Sequence, residues 1–455
     1  MNSNEKLSYR NKNILAPMVR IGRLPTRLLA LQYGADIIYS EEIIDHRFIQ
    51  CKRTINNALD TIDFTLDHDS RPMFRTCAVE KSKVVLQLGT ANAERALKAA
   101  KLVEQDVAGI DVNMGCPKEY STKGGMGAAL LTNPENIKDI LTTLVKGLSI
   151  PVTCKIRVLP ELKDTIKLVQ MIESTGVVAL AVHGRRKEER PRHTVRVDEI
   201  RAITEAVSIP VIANGGSEDC IQSYSDIEKF RSATGASSVM IARSAQLNCS
   251  VFRKEGLLPM EQVIKDYLKI AVRYDNHYIN CKFCILEMMK EKQETPVGQA
   301  VRSALSLEQI CAAWNMTEYL QSSRLKRGLP TGSDVINDEP ALKKFKNDDI
   351  ITMDFVLKRC DYRMKNGKSP KTILLEWCRG KEEKEPVYET VCRDSDRRFN
   401  SVLTCGGKMY RSTYWERNKR LAEQAAAVVC LRNIGVDDGR VKNDLTNGND
   451  PSTDT

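Results

Sequence analysis

The chain has 455 residues, of which 42% are hydrophobic and 28% are charged, and this balance excludes wholesale disorder. No apolar run approaches the roughly 18 residues of a membrane span, and the polar stretch Met1–Arg10 carries no signal-peptide pattern. The 14 cysteines are scattered, which favours free thiols over a disulfide framework in a chain of this length. We therefore expect a cytoplasmic protein with no membrane partner.

The positive charge is concentrated near the C-terminus. The net charge is +10, and Leu357–Arg432 alone holds 18 Lys and Arg residues against 10 Asp and Glu residues, whereas Asn433–Thr455 is acidic. A basic segment attached to a larger body is typical of a module that binds a polyanion.

The first 250 residues repeat one unit, in which a short apolar, β-branched run precedes a segment of helical period. Such runs are typical of a parallel sheet buried on both faces, and eight of them in about 250 residues favour a (β/α)8 TIM barrel over an open, doubly wound sheet. We therefore predict a barrel domain over residues 1–255. The eight predicted strands are Asn13–Met18, Ala35–Glu41, Val84–Gly89, Gly109–Gly115, Pro151–Arg157, Val177–Gly184, Ile209–Gly216 and Ser237–Arg243.

Four further regions are predicted after the barrel. Residues 256–326 carry apolar side chains at spacings of three and four, which predicts a helical domain, and residues 327–351 have the Gly, Pro, Asp and Lys content of a flexible linker. Residues 352–435 predict the order αβββα, with a hairpin turn at Gly406-Gly407. The tail at 436–455 is predicted to be disordered.

Polar side chains follow the predicted barrel strands, where the active sites of such barrels form. Glycines after strand seven and Arg243 after strand eight occupy the usual phosphate-binding corner, because glycine lets backbone N–H groups approach an anion closely. Lys155 and His183, on adjacent strands, are candidates to hold a planar cofactor by its polar edge. The predicted rim residues are Pro17, Met18, Glu41, Glu42, Gln87, Asn113, Lys155, Arg157, His183, Arg185, Asn214, Gly215, Gly216, Ala242 and Arg243.

Cys116 directly follows the fourth predicted strand and precedes a loop that contains Gly and Lys, Lys118–Gly127. A cysteine with a pKa near 8.5 can donate a proton at neutral pH. It can also be a nucleophile or a small buried hydrophobic residue. Its position at a barrel rim favours chemistry.

Two other patterns are weaker. Gly125-x-Gly127 lies too far beyond its strand to be a dinucleotide fingerprint, and a glycine-hinged lid is the better interpretation. His277, Cys281 and Cys284 share one helix face, but no fourth ligand or second Cys pair accompanies them, so we predict helix packing and no metal.

In the basic module, Lys371, Lys419 and Arg420 stand at the starts of the two predicted helices. Positive charges there add to the positive end of the helix dipole and suit a phosphate backbone. We therefore predict that the module binds RNA through these residues.

Five motifs resemble those of the tRNA-dihydrouridine synthases, and the αβββα module resembles a double-stranded-RNA-binding domain. Together they resemble the eukaryotic dihydrouridine synthase 2 class, whose members reduce uridine at about position 20 of the tRNA D-loop. The motifs are Ile14–Met18, Asp111–Pro117, Lys155–Arg157, Val182–Arg185 and Ile212–Gly216.

The resemblance implies an FMN enzyme that NADPH reduces, a tRNA substrate and Cys116 as the general acid. Hydride would add to uracil carbon 6, and Cys116 would protonate carbon 5. We expect a monomer that binds no DNA. The implied FMN contacts are Pro17, Met18, Gln87, Lys155, His183, Asn214, Gly215, Gly216, Ala242 and Arg243, and the candidate substrate contacts are Asn113, Lys155, Arg185, Lys371, Lys419 and Arg420.

The module departs from the double-stranded-RNA-binding pattern at two points. The loop Arg393–Asp396 is partly acidic where a Gly-Pro-x-His loop is usual, and Glu423 replaces a Lys. We therefore expect attachment to one tRNA stem rather than two-groove binding of long duplexes. Two alternatives stay open, a reductase of free pyrimidines and a non-catalytic RNA-binding protein with a relic barrel.

Overall fold

A computed structural model describes residues 7–67, 69, 71–190, 192–325, 350–353, 368–393, 398–416 and 418–439. The chain forms two compact units, Met1–Thr331 and Gly332–Thr455. The predicted linker lies outside the described residues up to position 349, and so does the predicted tail from position 440 onward. In the described part of the chain, no helix combines the length and the apolar character that crossing a membrane requires.

Eight parallel strands of the first unit close into a barrel. Strands β1, β2 and β7 to β12 pair side by side, and the pairing of β2 with β7 completes the ring, which confirms the predicted fold. All eight predicted runs contain one of these strands. The strands of this unit are β1 (Asn13–Leu15), β2 (Ile37–Tyr39), β3 (Ile43–Ile44), β4 (Lys52–Asn56), β5 (Thr61–Thr65), β6 (Phe74–Cys77), β7 (Val84–Gly89), β8 (Gly109–Met114), β9 (Val152–Arg157), β10 (Ala179–His183), β11 (Val211–Asn214) and β12 (Ser238–Ile241).

The helices between the strands cover the barrel because their apolar residues recur every three or four positions. In α5 the Asn133 side chain accepts the Asn136 N–H, Pro134 opens the helix, and Ile137, Ile140 and Leu144 are buried. These helices are α1 (Leu24–Gln32), α2 (Asp45–Phe48), α3 (Ala93–Val103), α4 (Glu119–Thr122), α5 (Pro134–Gly147), α6 (Leu162–Ser174), α7 (Val197–Ala206), α8 (Tyr224–Thr234) and α9 (Arg243–Leu247), with 3₁₀ turns at Glu104–Asp106, Gly127–Thr132 and Cys249–Phe252.

A three-stranded antiparallel sheet interrupts the strand–helix alternation between β2 and β7, and sequence periodicity did not predict it. Strand β5 pairs with β4 and β6. Arg75 on β6 forms an ion pair with Asp63 at 2.6 Å and donates a hydrogen bond to the carbonyl oxygen of Tyr274 at 2.6 Å. This insertion therefore connects the barrel rim to the helices that follow the barrel.

Up to residue 325, where description of this unit ends, five helices follow the barrel within the same compact unit. Their buried residues, such as Tyr267 and Cys281, belong to the hydrophobic core that also contains Leu29 of α1. The Tyr33 hydroxyl donates to Asp266 at 2.9 Å. The predicted boundary at residues 255 and 256 therefore divides one continuous core. The helices are α10 (Met260–Arg273), α11 (Tyr278–Met289), α12 (Pro296–Ser303), α13 (Leu307–Ala313) and α14 (Thr317–Leu325), with a 3₁₀ turn at Lys290–Glu294.

In its described residues, the second unit packs two helices on one four-stranded sheet, and it contains the predicted αβββα order. One strand, β13, precedes that order and pairs in parallel with β16; only the β-branched run at 350–352 could have indicated it. Leu374, Leu403 and Val429 are fully buried in the core of this unit. Its elements are β13 (Ile350–Met353), α15 (Pro370–Gly380), β14 (Val387–Arg393), β15 (Arg398–Cys405), β16 (Lys408–Ser412) and α16 (Lys419–Asn433).

Candidate active site

Strand register brings the predicted rim residues to one end of the barrel. His183 at the end of β10 aligns with Arg157 on one side and with Asn214 on the other. Asn113 on β8 aligns with Lys155 on β9. Because parallel strands all run in one direction, these polar groups converge at the carboxyl end of the sheet.

Cys116 is held at this rim by the backbone on both of its sides. The side-chain oxygen of Asn113 accepts the N–H groups of Gly115 and Cys116, each at 3.0 Å. Arg157 donates to the carbonyl oxygen of Gly115 at 2.8 Å, and the N–H of Ala128 donates to the carbonyl oxygen of Cys116 at 2.9 Å. The backbone at Cys116 is therefore fixed in position, and the side chain is partly exposed.

The surroundings of Cys116 keep its proton on the sulfur. Burial and the negative charge of Glu42 raise the pKa of the thiol above its ordinary value. A thiol with a raised pKa is protonated at neutral pH, which suits a proton donor better than a nucleophile. This setting is compatible with the predicted role of Cys116 as general acid, and that role stays a prediction.

Gln87, a predicted cofactor contact, is oriented by Asp111, which the sequence did not single out for a role. The Gln87 amide nitrogen donates to Asp111 at 2.8 Å, and the Thr153 hydroxyl donates to the other carboxylate oxygen at 2.7 Å. This fixes which end of the amide is the nitrogen and leaves its oxygen to accept from a ligand. Burial raises the pKa of Asp111 to about 6, although hydrogen bonds from Gln87 and Thr153 lower it.

Four cations surround His183 at the rim: Lys155, Arg157, Arg185 and Arg243. Burial and these positive charges hold the pKa of His183 well below its ordinary value, so its ring is neutral. Burial and the charge of Arg157 lower the pKa of Lys155 to about 8. So much positive charge at one place favours an anionic ligand.

At the predicted phosphate-binding site, Gly215 has no side chain to cover its backbone. This residue has a φ of +115°, and a Cβ atom there would lie 2.9 Å from the His183 ring, so only glycine fits. Arg243 stands nearby in the fold but is paired with Glu218 at 2.6 Å, and the Ala242 N–H donates to Ser217 at 3.0 Å. An anion bound here would therefore share Arg243 with a carboxylate.

The remaining predicted cofactor contacts are also near this rim, at the ends of β1 and β11. Asn214 is buried, and its amide nitrogen donates to the carbonyl oxygen of Met240 at 2.8 Å. Pro17 and Met18 follow β1 and are half-buried, and Gly216 follows Gly215. The donor set fits a planar cofactor with an anionic group, and the individual contacts stay predictions.

Arg185 acts on the loops rather than standing free at the rim. Its guanidinium is 2% exposed and donates to the carbonyl oxygens of Gly215 at 2.6 Å and His193 at 2.5 Å. It also pairs with Asp219. These contacts make Arg185 a clamp that fixes the Gly215 turn, and its predicted contact with substrate stays a prediction.

His277, Cys281 and Cys284 serve helix packing. The His277 ring accepts the N–H of Ile279 at 3.3 Å and caps α11. Both cysteines are fully buried, and the Cys284 thiol lies 3.7 Å from the carbonyl oxygen of Arg20. Within the described residues, no group of His, Cys, Asp and Glu could hold a metal ion.

In the second unit, the residues predicted to contact RNA differ in exposure and in ion pairing. The Lys419 side chain is 68% exposed, and Arg420 is exposed beside it at the start of α16. Lys371 instead pairs with Glu423 at 2.6 Å, and its ammonium lies 4.2 Å from the centre of the Tyr388 ring. The unusual Glu423 therefore joins α15 to α16. Positions 394–396 of the predicted acidic loop lie outside the described residues.

Two family models match the chain, one in each unit. The Dihydrouridine synthase (Dus) family matches residues 14–327, and the double-stranded RNA binding motif matches residues 370–434. The first match spans more than half of the chain and contains every predicted rim residue.

Two curated relatives and one solved structure resemble the chain. A Schizosaccharomyces pombe protein named tRNA-dihydrouridine(20) synthase, NAD(P)+, is 39% identical over 330 residues, which cover 70% of this chain and 67% of the relative. A Saccharomyces cerevisiae protein of the same name is 38% identical over 305 residues, covering 63% and 79%. The crystal structure of a tRNA-dihydrouridine(20) synthase dsRBD domain is 47% identical and covers 20% of this chain and 96% of that domain, with a TM-score of 0.19.

Proposed function

The chain belongs to the dihydrouridine synthase family, and from this premise we propose that it reduces the 5,6 double bond of a D-loop uridine in tRNA, at position 20. The observation that carries the proposal is Cys116, a proton-bearing thiol fixed at the rim of a TIM barrel beside a cluster of cations. NAD(P)H is the proposed source of electrons, as the names of both yeast relatives indicate.

FMN is the proposed cofactor, and the rim offers groups suited to it. Gln87, Lys155 and neutral His183 would bind the polar edge of the ring, and the Gly215 turn with Arg243 would bind the phosphate. When bound, FMN would supply the hydride that uracil carbon 6 receives. The fixed amide of Gln87 and the bare backbone at Gly215 support this assignment, since neither depends on a side chain moving.

Cys116 would supply the second hydrogen, as a proton to uracil carbon 5. Negative charge develops on carbon 5 and the adjoining carbonyl as hydride adds to carbon 6, so a neutral acid must stand next to carbon 5. Lys155 would stabilise that charge, and Asn113 would hold the Cys116 backbone in place. The target base must leave its folded position in tRNA to reach the rim.

The second unit would capture tRNA through backbone phosphates. Lys419 and Arg420 are exposed at the N-terminus of a 15-residue helix, where their charges and the helix dipole both favour an anion. Binding of this kind carries little sequence information, so the choice of uridine belongs to the barrel. A cytoplasmic location is the setting we propose for this activity.

The test is to purify the full chain and follow its colour and its product. We expect flavin absorbance that NADPH bleaches without oxygen, and dihydrouridine at position 20 when tRNA that lacks the modification is supplied. Reduction of uridine monophosphate but not of tRNA would favour a free-pyrimidine reductase. Colourless protein that binds RNA and resists reconstitution with FMN would favour a relic barrel.

A further inference from the structure

Glu42 lies at the rim but has no part in the function proposed so far. It follows β2, and it lines a cavity of about 350 Å³ between the barrel rim and the helices after the barrel. Gly89 at the end of β7 leaves room for it, because a Cβ atom there would lie 2.6 Å from a Glu42 carboxylate oxygen. The absence of a side chain at residue 89 therefore makes room for the Glu42 carboxylate.

The carboxylate of Glu42 receives two hydrogen bonds from the predicted lid loop, Lys118–Gly127, in which Glu119–Thr122 form helix α4. The Tyr120 hydroxyl donates to one oxygen at 3.1 Å, and the Ser121 hydroxyl donates to the other at 3.2 Å. The same Tyr120 oxygen lies 3.8 Å from the sulfur of Cys116. Glu42, Tyr120 and the thiol thus form one connected group.

Opposing charges act on Cys116 from the elements around it. Lys155 and Arg157 on β9 interact electrostatically with the thiol and favour its anion. The Glu42 carboxylate opposes them, since a nearby negative charge disfavours a second one. The other charged groups around the cavity are Arg20, Arg23, Glu41, Arg47, Asp69 and Arg71, with His277 on the helical side.

We propose that Glu42 is a positioning residue for the proton transfer, which anchors Tyr120 and Ser121 of the lid loop against Cys116 and keeps the thiol in its proton-bearing form. The inference rests on the proposed role of Cys116 as the proton donor. The transfer breaks the S–H bond and forms the new C–H bond at carbon 5 only if the proton is still on the sulfur when hydride arrives. Without the Glu42 carboxylate, the positive charges of Lys155 and Arg157 would favour loss of the proton and formation of the thiolate.

Electrostatics support this geometry. Burial raises the pKa of Cys116, and the charge of Glu42 raises it further, whereas hydrogen bonds from Tyr120 and Ser121 lower it. Removing the Glu42 carboxylate should therefore lower the pKa of the Cys116 thiol, whereas removing the Tyr120 hydroxyl should raise it. A variant that only loosened the loop would not give this pair of signs.

The experiment measures the pH midpoint of Cys116 alkylation by iodoacetamide, followed by mass spectrometry of the Cys116 peptide, in the flavin-loaded full chain without tRNA. For Glu42→Gln we expect the midpoint to fall by about one pH unit, so that alkylation at pH 7 is roughly tenfold faster. Tyr120→Phe should raise the midpoint, and Glu42→Asp, which keeps the charge, should restore it nearly to the wild-type value. Glu41→Gln is the matched control, because that carboxylate is bound to Arg23 at 2.9 Å and to the Arg20 N–H at 2.7 Å and should leave the midpoint unchanged.

An unchanged midpoint in folded Glu42→Gln would overturn the proposal, and so would faster alkylation at every pH with no change in midpoint, which indicates loop opening alone. If Glu42→Gln does not fold, Tyr120→Phe decides, and a midpoint at or below the wild-type value contradicts the inference. The alkylation needs no turnover, so failure of the proposed function would appear separately, as absence of dihydrouridine even with the wild-type chain. In the product assay, Glu42→Gln should lose activity at lower pH than the wild type, since the acid must be protonated.

Discussion

The two units of this protein use positive charge in opposite ways. In the first unit, Arg27 pairs with Glu80 at 2.5 Å with side chains 2% and 0% exposed, and Arg185 is as deeply enclosed. In the second unit, Lys419 is 68% exposed and has only a 3.9 Å contact with Glu423. Chemistry needs groups whose positions are fixed by partners, whereas capture of a polyanion needs charge that is free to meet phosphates.

Cys116→Ala is the most severe test of the idea that the first unit performs the chemistry and the second unit captures tRNA. We expect dihydrouridine formation to fall by about 10²- to 10⁴-fold, because the proton donor is removed, while flavin content and tRNA affinity stay unchanged. The measurement is single-turnover product formation beside a tRNA binding titration. Cys392→Ala, which removes a half-exposed thiol of the second unit, is the control and should match the wild type. Product at the wild-type rate from Cys116→Ala would remove Cys116 as the acid.

Asp111→Asn tests whether the fixed charges of the barrel reduce its stability. The pKa of Asp111 is raised to about 6 in the folded chain, so its ionisation weakens the fold as pH rises from about 4 through 6. Asn can still accept from Gln87, and it can donate to Thr153 if that hydroxyl turns. We expect the variant to exceed the wild type in free energy of unfolding by up to about 3 kcal/mol at pH 8 and by almost nothing at pH 4. Equal differences at both pH values in urea unfolding would refute this.

Neutralising the exposed cations of the second unit should weaken tRNA binding without changing the rate of the chemical reaction. For the Lys419→Ala, Arg420→Ala double variant, we expect tRNA affinity to drop roughly tenfold at moderate salt and the slope of log affinity against log salt to fall by about two. The rate at saturating tRNA should not change. An unchanged salt slope would show that phosphates do not meet these residues.

The smallest effect is expected for Lys371→Met, which sharpens the comparison inside one unit. Because Lys371 is already paired with Glu423 and Tyr388, its loss should leave the slope of log affinity against log salt nearly unchanged. Thermal unfolding of the second unit should occur at a lower temperature, since α15 loses its tie to α16. If the salt slope instead fell by about one, the value expected for the loss of one phosphate contact, Lys371 would be a direct RNA ligand.

Much of the fold could be predicted because each barrel strand is a local pattern. Each of the eight apolar runs, and each element of the order αβββα, is visible within a short local stretch of sequence. The sheet of β4, β5 and β6 was missed because its strands are partly polar rather than continuous apolar runs. Its place also depends on a contact between Arg75 and Tyr274, about 200 positions later. Strand β13 was missed because its partner, β16, lies far along the chain.

The candidate site divides in the same way. Cys116, Lys155, His183 and Arg243 could be named from their positions at or near the carboxyl ends of strands, and closure of the barrel brings them to one rim. The clamp at Arg185, the orientation of Gln87 by Asp111 and the contact of Glu42 with the lid loop could not be named. Each joins residues from different strands or loops, and no spacing in the sequence encodes such a contact.

By itself the sequence determined the eight barrel strands, the αβββα order of the second unit, the unequal distribution of charge and the residue types at the strand ends. Those properties follow from local periodicity and composition, which act before any distant contact forms. Only the tertiary structure decided which cations are free and which are engaged, and that Cys116 keeps its proton. Burial and neighbouring charge set a pKa and an ion pair, and both exist only once the chain has closed around them.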